Sequence, residues 1–117
     1  MFVDRYETRI IKDMEYSFKA KLWEYRPENP DQKIGLWVFV SVPQKYYEDI
    51  KEIASPQRKG FGSVRVEVTI GSSVWKTSIF PDTKSGTYDL PVKKEVRKKE
   101  GIEIGNTVPV VIKLVGS

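Results

Sequence analysis

Residues 90–108 carry the clearest structural signal in the chain and read LPVKKEVRKKEGIEIGNTV. The stretch opens with the end of a strand. Pro91 then predicts the start of a helix, because the first turn of a helix leaves its N–H groups unpaired anyway. Val92 and Val96 are spaced to face inward, and Gly101 predicts the end of the helix. A second glycine turn and a final apolar strand follow.

A similar order of signals occurs upstream, around Val42 and Pro43. There too a strand ends in an apolar residue and proline, and a helix, glycines and a long strand follow. Two copies of a β–Pro–helix–Gly–β unit predict one barrel built from two similar halves, a pseudo-dimer within one chain. The predicted fold is therefore mainly β, a double-split β-barrel capped by two short helices, in which closure removes exposed strand edges.

Apolar patterning marks the strands of this barrel. We predict strands over 15–25, 34–42, 62–70, 74–80, 87–90 and 107–115, a helix from Pro43 to Ser55-Pro56, and loops over 26–33 and 81–86. The strand over 34–42 is apolar on both faces, which is typical of a central strand covered on both sides. A single domain spans residues 1–117, with the barrel in 15–115 and a leading strand or arm in 1–14.

The composition is that of an ordinary globular protein, since 39% of the 117 residues are hydrophobic and 31% are charged. Cysteine and histidine do not occur, which excludes disulfides and thiolate nucleophiles and removes the commonest general base and metal ligand. No apolar run reaches the length of a membrane helix, and the charged N-terminus is unlike a secretory signal. We therefore expect a cytoplasmic, non-enzymatic protein with no cofactor, no metal and no membrane partner.

The net charge is +4, from 20 basic and 16 acidic residues. This surplus permits an anionic partner such as nucleic acid. It is also typical of a solvated surface rich in lysine and glutamate. On charge alone both interpretations stay open.

The first candidate site is a glycine-rich basic stretch that leads into the strand over 62–70. Its members are Arg58, Lys59, Gly60, Phe61, Gly62 and Arg65, together with Lys76 on the next strand. Glycines permit close approach of the backbone, and N–H groups beside basic side chains can hold a phosphate. The stretch resembles the core signature of RNA-recognition motifs, although Ser63 and Val66 replace two of its aromatic residues. The alternative is a bulge or bend where the strand enters the barrel.

The second candidate is the helix after Pro91, which is strongly basic. It carries Lys93, Lys94, Arg97, Lys98 and Lys99 against Glu95 and Glu100. Cations in the last turn of a helix have a purely structural role, because they interact favourably with the helix dipole. A basic helix can equally face phosphates.

Two further features have weaker functional interpretations. Asp82 and Lys84 place a carboxylate beside an ammonium group, but an aspartate after proline more often closes a turn through its own side chain. The aromatic residues either line an apolar pocket or fill the barrel interior; they are Trp23, Trp37, Trp75, Tyr46 and Tyr47. Neither a Walker or Rossmann glycine pattern nor a metal-ligand constellation occurs.

The chain resembles a known family from Phe18 to Leu114. The shared motifs are GFGSV at 60–64, VEVTIG at 66–71, WKTSIFPD at 75–82, Tyr88, and LPVK at 90–93. They are similar to those of domain of unknown function 1905, a prokaryotic family. Residues 90–110 also resemble the half-barrel of AbrB-type transition-state regulators, which bind DNA as dimers from the loop region of the barrel.

The resemblance implies a double-split β-barrel related to the AbrB type, with no established activity and no catalytic residue. Family members are also found fused to a domain related to bacteriocin-resistance proteins, which suggests a protein-partner domain in stress or bacteriocin tolerance. A single-chain pseudo-dimer would present two DNA-binding faces, but the first helix is acidic, which counts against a regulator.

Three functions therefore stay open. They are a binding module for an anionic partner such as nucleic acid, a protein-partner domain, and a small-ligand binder that uses an aromatic pocket. A barrel closed within one chain predicts a monomer rather than a dimer.

Overall fold

The computed structural model describes residues 15–26, 37–54 and 62–115. Some predicted features lie outside these ranges and stay predictions. They are the leading strand or arm in 1–14, the loop beyond Arg26, residues 34–36 of the second strand, the helix end at Ser55-Pro56, and the candidate residues Arg58, Lys59, Gly60 and Phe61.

The fold is mainly β, with two short helices in the described ranges. The strands are β1 (Glu15–Lys21), β2 (Trp23–Tyr25), β3 (Trp37–Val42), β4 (Val64–Ile70), β5 (Ser73–Asp82), β6 (Thr87–Pro91) and β7 (Thr107–Leu114). A 3₁₀ turn (Gln44–Tyr46) leads into α1 (Tyr47–Ala54), and α2 spans Lys94–Glu100. Neither of these helices is long and apolar enough to cross a bilayer.

The strands pair antiparallel in the order β1-β7-β4-β5-β6-β3-β2 and form a curled half-barrel sheet. Only Leu22 separates β1 from β2, so neighbouring chain segments supply the two ends of this order. The N–H of Leu22 donates to the carbonyl of Asn106 (2.9 Å), and its own carbonyl accepts from Gly105 (2.8 Å). The strand predicted over 15–25 is therefore two strands, split at a fully buried leucine.

β5 pairs with two partners in succession. Residues 73–79 pair with β4, whereas residues 80–82 pair with β6. Along 73–79, the edge that faces away from β4 has no strand partner within the described part of the chain. This change of partner leaves a gap between β5 and the β3–β6 pair, and the candidate site lies in that gap.

The core covers one face of the sheet, and its alternating members confirm the predicted inward faces of β4 and β7. These members are Val64, Val66, Val68 and Ile70 on β4, and Val108, Val110, Ile112 and Leu114 on β7. Ile50 and Ala54 of α1 and Val96 of α2 pack into the same cluster. Burying a side chain of this kind contributes about 1.5–3 kcal/mol, so this face is the main source of stability.

Two predicted boundaries at prolines are wrong. Pro91 ends β6 and does not start a helix, because the N–H of Val92 donates to the carbonyl of Val38 (2.8 Å) and prolongs the strand pairing. Pro81 and Asp82 belong to β5 rather than to a loop, because this part of β5 pairs with β6.

The prediction that the second strand is covered on both faces is also wrong. Val38, Val40 and Val42 are buried, but on the other face of β3 the side chain of Trp37 is 48% exposed. Phe39, on the same face, is half-buried. β3 is central in its pairing, with β6 on one side and β2 on the other, but its aromatic residues lie on a partly exposed outer face.

Candidate functional site

A groove of about 830 Å³ lies between β5, the β3–β6 pair and α2. Its lining residues are Trp37, Val38, Trp75, Lys76, Thr77, Pro91, Val92, Lys93, Lys94 and Arg97. Four of these ten residues are cationic, none is acidic and two are tryptophans. We refer to this feature as the basic groove.

The basic groove joins residues that belong to three separate features in the sequence. Lys76 is a member of the first candidate site, the other three cations belong to the basic helix region, and both tryptophans belong to the aromatic set. No sequence spacing indicates this meeting, because it depends on the point at which β5 changes partner. The separation of these features along the sequence therefore does not predict that they lie together in one groove.

Backbone pairing positions the basic wall of the groove. The hydrogen bond from the N–H of Val92 to Val38 keeps the chain beside β3, and Lys93 continues with extended backbone (φ −71°, ψ 159°) before α2 begins. One turn into α2, the Nε of Arg97 donates to the carbonyl of Val92 (3.2 Å). This bond holds a half-buried guanidinium at the groove.

The predicted glycine stop of α2 is confirmed. Gly101 adopts left-handed backbone (φ 65°, ψ 36°), and its N–H donates to the carbonyl of Lys98 (3.3 Å). The N–H of Ile102 donates to the carbonyl of Arg97 (3.0 Å). Together these bonds form a Schellman motif, which ends the helix after two turns.

Glu100, at the end of α2, is bound to the β4–β5 turn. Its carboxylate accepts hydrogen bonds from the Ser73 hydroxyl (2.6 Å), the Ser72 hydroxyl (3.1 Å) and the Ser72 N–H (3.4 Å). The bond from Ser73 is the main reason that the pKa of Glu100 is lowered. Gly71 makes the contact possible, because it has φ +59° and a Cβ there would lie 2.0 Å from Oε1 of Glu100.

The other described members of the two predicted sites lie outside the groove. Gly62 has φ +86°, a backbone conformation that favours glycine and agrees with a bend at the strand entry. Arg65 is exposed on β4, opposite Ser78, and Lys98 is exposed on α2. Lys76, by contrast, does line the groove. Its cross-strand neighbour is Glu67, whose carboxylate offsets part of the positive charge of Lys76.

The turn interpretation of Asp82 agrees with its contacts. Its Oδ1 accepts hydrogen bonds from the N–H groups of Lys84 (3.1 Å) and Ser85 (3.4 Å). This is the local side-chain to backbone bonding by which aspartate closes turns. Within the described ranges, no group of three acidic residues is arranged to hold a metal ion.

Asp89 is a perturbed carboxylate that the sequence reasoning missed. Its Oδ1 accepts hydrogen bonds from the hydroxyls of Ser41 (3.5 Å) and Thr87 (3.4 Å), and Ser41 in turn accepts from Nε1 of Trp23 (3.0 Å). Burial, followed by the negative charge of Asp82, raises the pKa of Asp89 to about 6. In the sequence it is one polar residue in a short alternating strand, so no signal distinguishes it from a solvated side chain.

Asp89→Asn is expected to remove a pH dependence of stability. Because the pKa of Asp89 is raised in the folded state, the folded protein holds a proton that the unfolded chain releases, and stability falls as pH rises from about 4 to about 6. Asp89 is partly exposed, so we expect this fall to be roughly 1 kcal/mol after allowance for solvent screening. Urea unfolding of wild type and Asp89→Asn at pH 4, 5, 6 and 7 measures the difference.

Glu48→Gln, which removes one exposed carboxylate from α1, is the matched control for this experiment. It should keep the wild-type slope of stability against pH between 4 and 6. If Asp89→Asn also kept that slope, the conclusion that the pKa of Asp89 is raised in the folded protein would be wrong.

The aromatic residues of the predicted pocket are separated into different surroundings. Tyr46 packs on Tyr16, with ring centroids 5.0 Å apart, and Tyr47 packs on Tyr88 at the same distance. Trp75 and Trp37 line the groove, and Trp23 lies on the outer face of the sheet against Phe39. The aromatic set therefore does not surround one common cavity.

No curated protein matches the chain. The family model described as domain of unknown function (DUF1905) matches residues 18–112. This match runs from β1 to β7 and includes both helices and every residue that lines the basic groove. Because it spans most of the chain, the protein belongs to this family, as its sequence motifs indicated.

Proposed function

We propose that the basic groove binds an anionic partner, that nucleic acid is the partner class it fits best, and that the domain is a binding module rather than an enzyme. The observation that carries the proposal is the meeting of four cations and two tryptophans on one groove without an acidic residue. Cationic side chains neutralise phosphates and release their counterions. Aromatic side chains offer flat apolar surfaces to bases.

The positions of these groups on opposite walls of the groove support the proposal. Lys93, Lys94 and Arg97 lie on the wall formed by α2 and the segment before it, whereas Lys76 comes from β5. The tryptophans are divided in the same way, with Trp37 on β3 and Trp75 on β5. A phosphate backbone that follows the groove would therefore meet positive charge and an aromatic ring on each side.

A small anionic aromatic ligand is a second candidate, favoured by the size of the groove. Its volume of about 830 Å³ lies within the range of typical small-molecule sites. A mononucleotide carries the same two chemical features as a nucleic acid strand. The protein-partner function, the cytoplasmic location and the monomeric state stay predictions from the sequence and the resemblance.

We also infer that the curled sheet is the predicted double-split barrel, related to the AbrB type. Two segments support this, because each changes partner once: β5 passes from β4 to β6, and the β1–β2 segment passes from β7 to β3. The first half of the chain then reads bent strand, β3, α1, β4, and the second half reads bent strand, β6, α2, β7. Exchanging the halves reproduces the same strand order, as expected of a pseudo-dimer.

Nucleic acid binding is tested by fluorescence anisotropy of labelled random-sequence DNA and RNA strands over a salt series. We expect log Kd to vary linearly with log salt, with a slope magnitude of about 1.4 to 2.8 if two to four phosphates are contacted. A mononucleotide is then added as competitor at a concentration near the Kd of the labelled strand. If the mononucleotide displaces the strand efficiently, the result favours the small-ligand candidate. An absence of strand binding even at low salt would contradict the nucleic-acid candidate, and an absence of direct mononucleotide binding would contradict the small-ligand candidate.

A further inference from the structure

The outer face of β2, β3 and β6 carries a cluster of four aromatic residues and one proline. Three of these five residues lie outside the basic groove. We define the aromatic face as Trp23 and Tyr25 on β2, Trp37 and Phe39 on β3, and Pro91 on β6. The strand register places Trp23, Phe39 and Pro91 in one row across the sheet, and Tyr25 and Trp37 in the next row. Five such residues on two adjacent rows form one continuous surface.

Neighbouring rings on this face contact one another in a row that begins at the groove. Trp37 and Phe39 lie nearly parallel, with 14° between their planes and 6.0 Å between their centroids, and Phe39 lies 5.1 Å from Trp23. Trp37 and Pro91 also line the basic groove. The aromatic face is therefore an extension of the groove and not a separate patch.

Two members of the aromatic face are exposed to solvent, and the other three are half-buried. The side chains of Trp37 and Tyr25 are 48% and 46% exposed. Exposed apolar surface of this kind is costly for a protein in water and marks interaction sites. Beyond Trp23 the face ends at the Ser41–Asp89 pair, whose carboxylate would repel a phosphate in its ionised form.

We propose that the basic groove and the aromatic face together bind single-stranded nucleic acid, with phosphates in the groove and unpaired bases stacked on Trp37 and Tyr25. The proposal rests on the function proposed above and narrows its ligand. Only a ligand with both regularly spaced anions and several free flat rings satisfies both surfaces. A duplex conceals its bases between paired strands, and an inorganic polyphosphate has none.

The size of the two surfaces sets the length of the ligand. Two rows on a strand are about 7 Å apart and adjacent strands about 5 Å apart, so the aromatic face holds two or three bases. One or two further nucleotides would occupy the groove. The shortest strand that binds fully is therefore about four nucleotides long.

The test measures Kd by anisotropy for single strands of two, four and eight nucleotides, a duplex of matched charge, and a polyphosphate competitor. We expect affinity to rise between two and four nucleotides and then to level off, apart from the statistical gain from extra positions. We expect the single strand to bind about 10-fold or more tightly than the duplex.

Substitutions on the aromatic face provide the second measurement. Trp37→Ala and Tyr25→Ala should each weaken single-strand binding about 10-fold, and Trp37→Phe should retain most of the affinity. Tyr25 lies outside the basic groove, so Tyr25→Ala should leave polyphosphate binding unchanged. Val74→Ala and Ile104→Ala, at exposed apolar positions outside this face, are the matched controls and should have no effect. Circular dichroism confirms that each variant is folded.

Each contrary outcome has one meaning. Equal affinity for the single strand, the duplex and polyphosphate would overturn this inference and leave anion binding by the groove intact. Unchanged single-strand binding in Trp37→Ala and Tyr25→Ala would also overturn it. Failure of all three ligands to bind would overturn the proposed function itself.

Discussion

Replacing Lys93 and Lys94 by glutamate is expected to weaken binding of a single-stranded oligonucleotide by about 100-fold at moderate salt. Both residues line the basic groove, and each substitution removes a phosphate contact and adds a repulsive charge. The slope of log Kd against log salt should fall in magnitude by about 1.4, which corresponds to two lost contacts on a single strand. Anisotropy titrations at four or more salt concentrations measure both quantities.

The matched control reverses two other lysines of the same helix, Lys98 and Lys99. This double variant changes the net charge by the same amount, but both side chains are exposed outside the groove. We expect its affinity to fall less than about fivefold, through long-range charge alone. Equal losses in the two double variants would show that overall charge, and not the groove, is responsible for binding.

Gly71→Ala is expected to be destabilising, with a fall in Tm of about 5–10 °C from the backbone and a further loss from the displaced Glu100 hydrogen bonds. A left-handed backbone costs alanine about 1–2 kcal/mol, which corresponds to roughly 5–10 °C for a domain of this size. The new methyl group would in addition lie 2.0 Å from the Glu100 carboxylate and displace it from Ser72 and Ser73. Thermal unfolding followed by circular dichroism measures the change.

Gly101→Ala is the matched control for that prediction. Gly101 also has positive φ, at +65°, but its Cβ would meet nothing within 4 Å, so this variant shows the backbone cost alone. Adding Glu100→Ala to Gly71→Ala should recover part of the lost stability, because the clash is then removed. If Gly71→Ala and Gly101→Ala had the same Tm, the close contact between the turn and α2 would be refuted.

The inward faces of the strands and the glycine turns were predictable from the sequence, because they depend on local patterns. Alternation on β4 and β7 specifies which residues are buried, and a glycine after a short amphipathic helix specifies where the helix ends. The alternation of apolar and polar residues along a strand does not specify which other strand it pairs with. The split at Leu22 and the change of partner along β5 therefore could not be read from the pattern.

The proline signals show how tertiary contacts override a local rule. Pro91 has the φ that favours the first turn of a helix, yet the hydrogen bond from Val92 to Val38 keeps the segment extended. As a result, the basic segment that follows Pro91 begins in extended backbone beside Trp37, and not inside a helix. The prediction failed at the point where the chain forms a wall of the groove.

The sequence predicts the kinds of residue at the candidate site, which are basic and aromatic, but not which of these residues lie together. The basic helix region and the tryptophans were recognisable as separate features, whereas their meeting depends on strand pairing. The acidic character of α1, with Glu48, Asp49 and Glu52, was also visible in the sequence. Within the described residues, the two helices therefore differ in charge, and only α2 contributes to the basic groove.

The most direct test of the groove as a nucleic-acid site is an NMR titration of ¹⁵N-tryptophan-labelled protein with a single-stranded octanucleotide. The three indole N–H signals report on Trp23, Trp37 and Trp75, and single Trp→Phe variants assign them. If the basic groove is the binding site, the signals of Trp37 and Trp75 shift together and saturate at the Kd measured by anisotropy. Saturable binding that leaves both signals unchanged would contradict the proposed site.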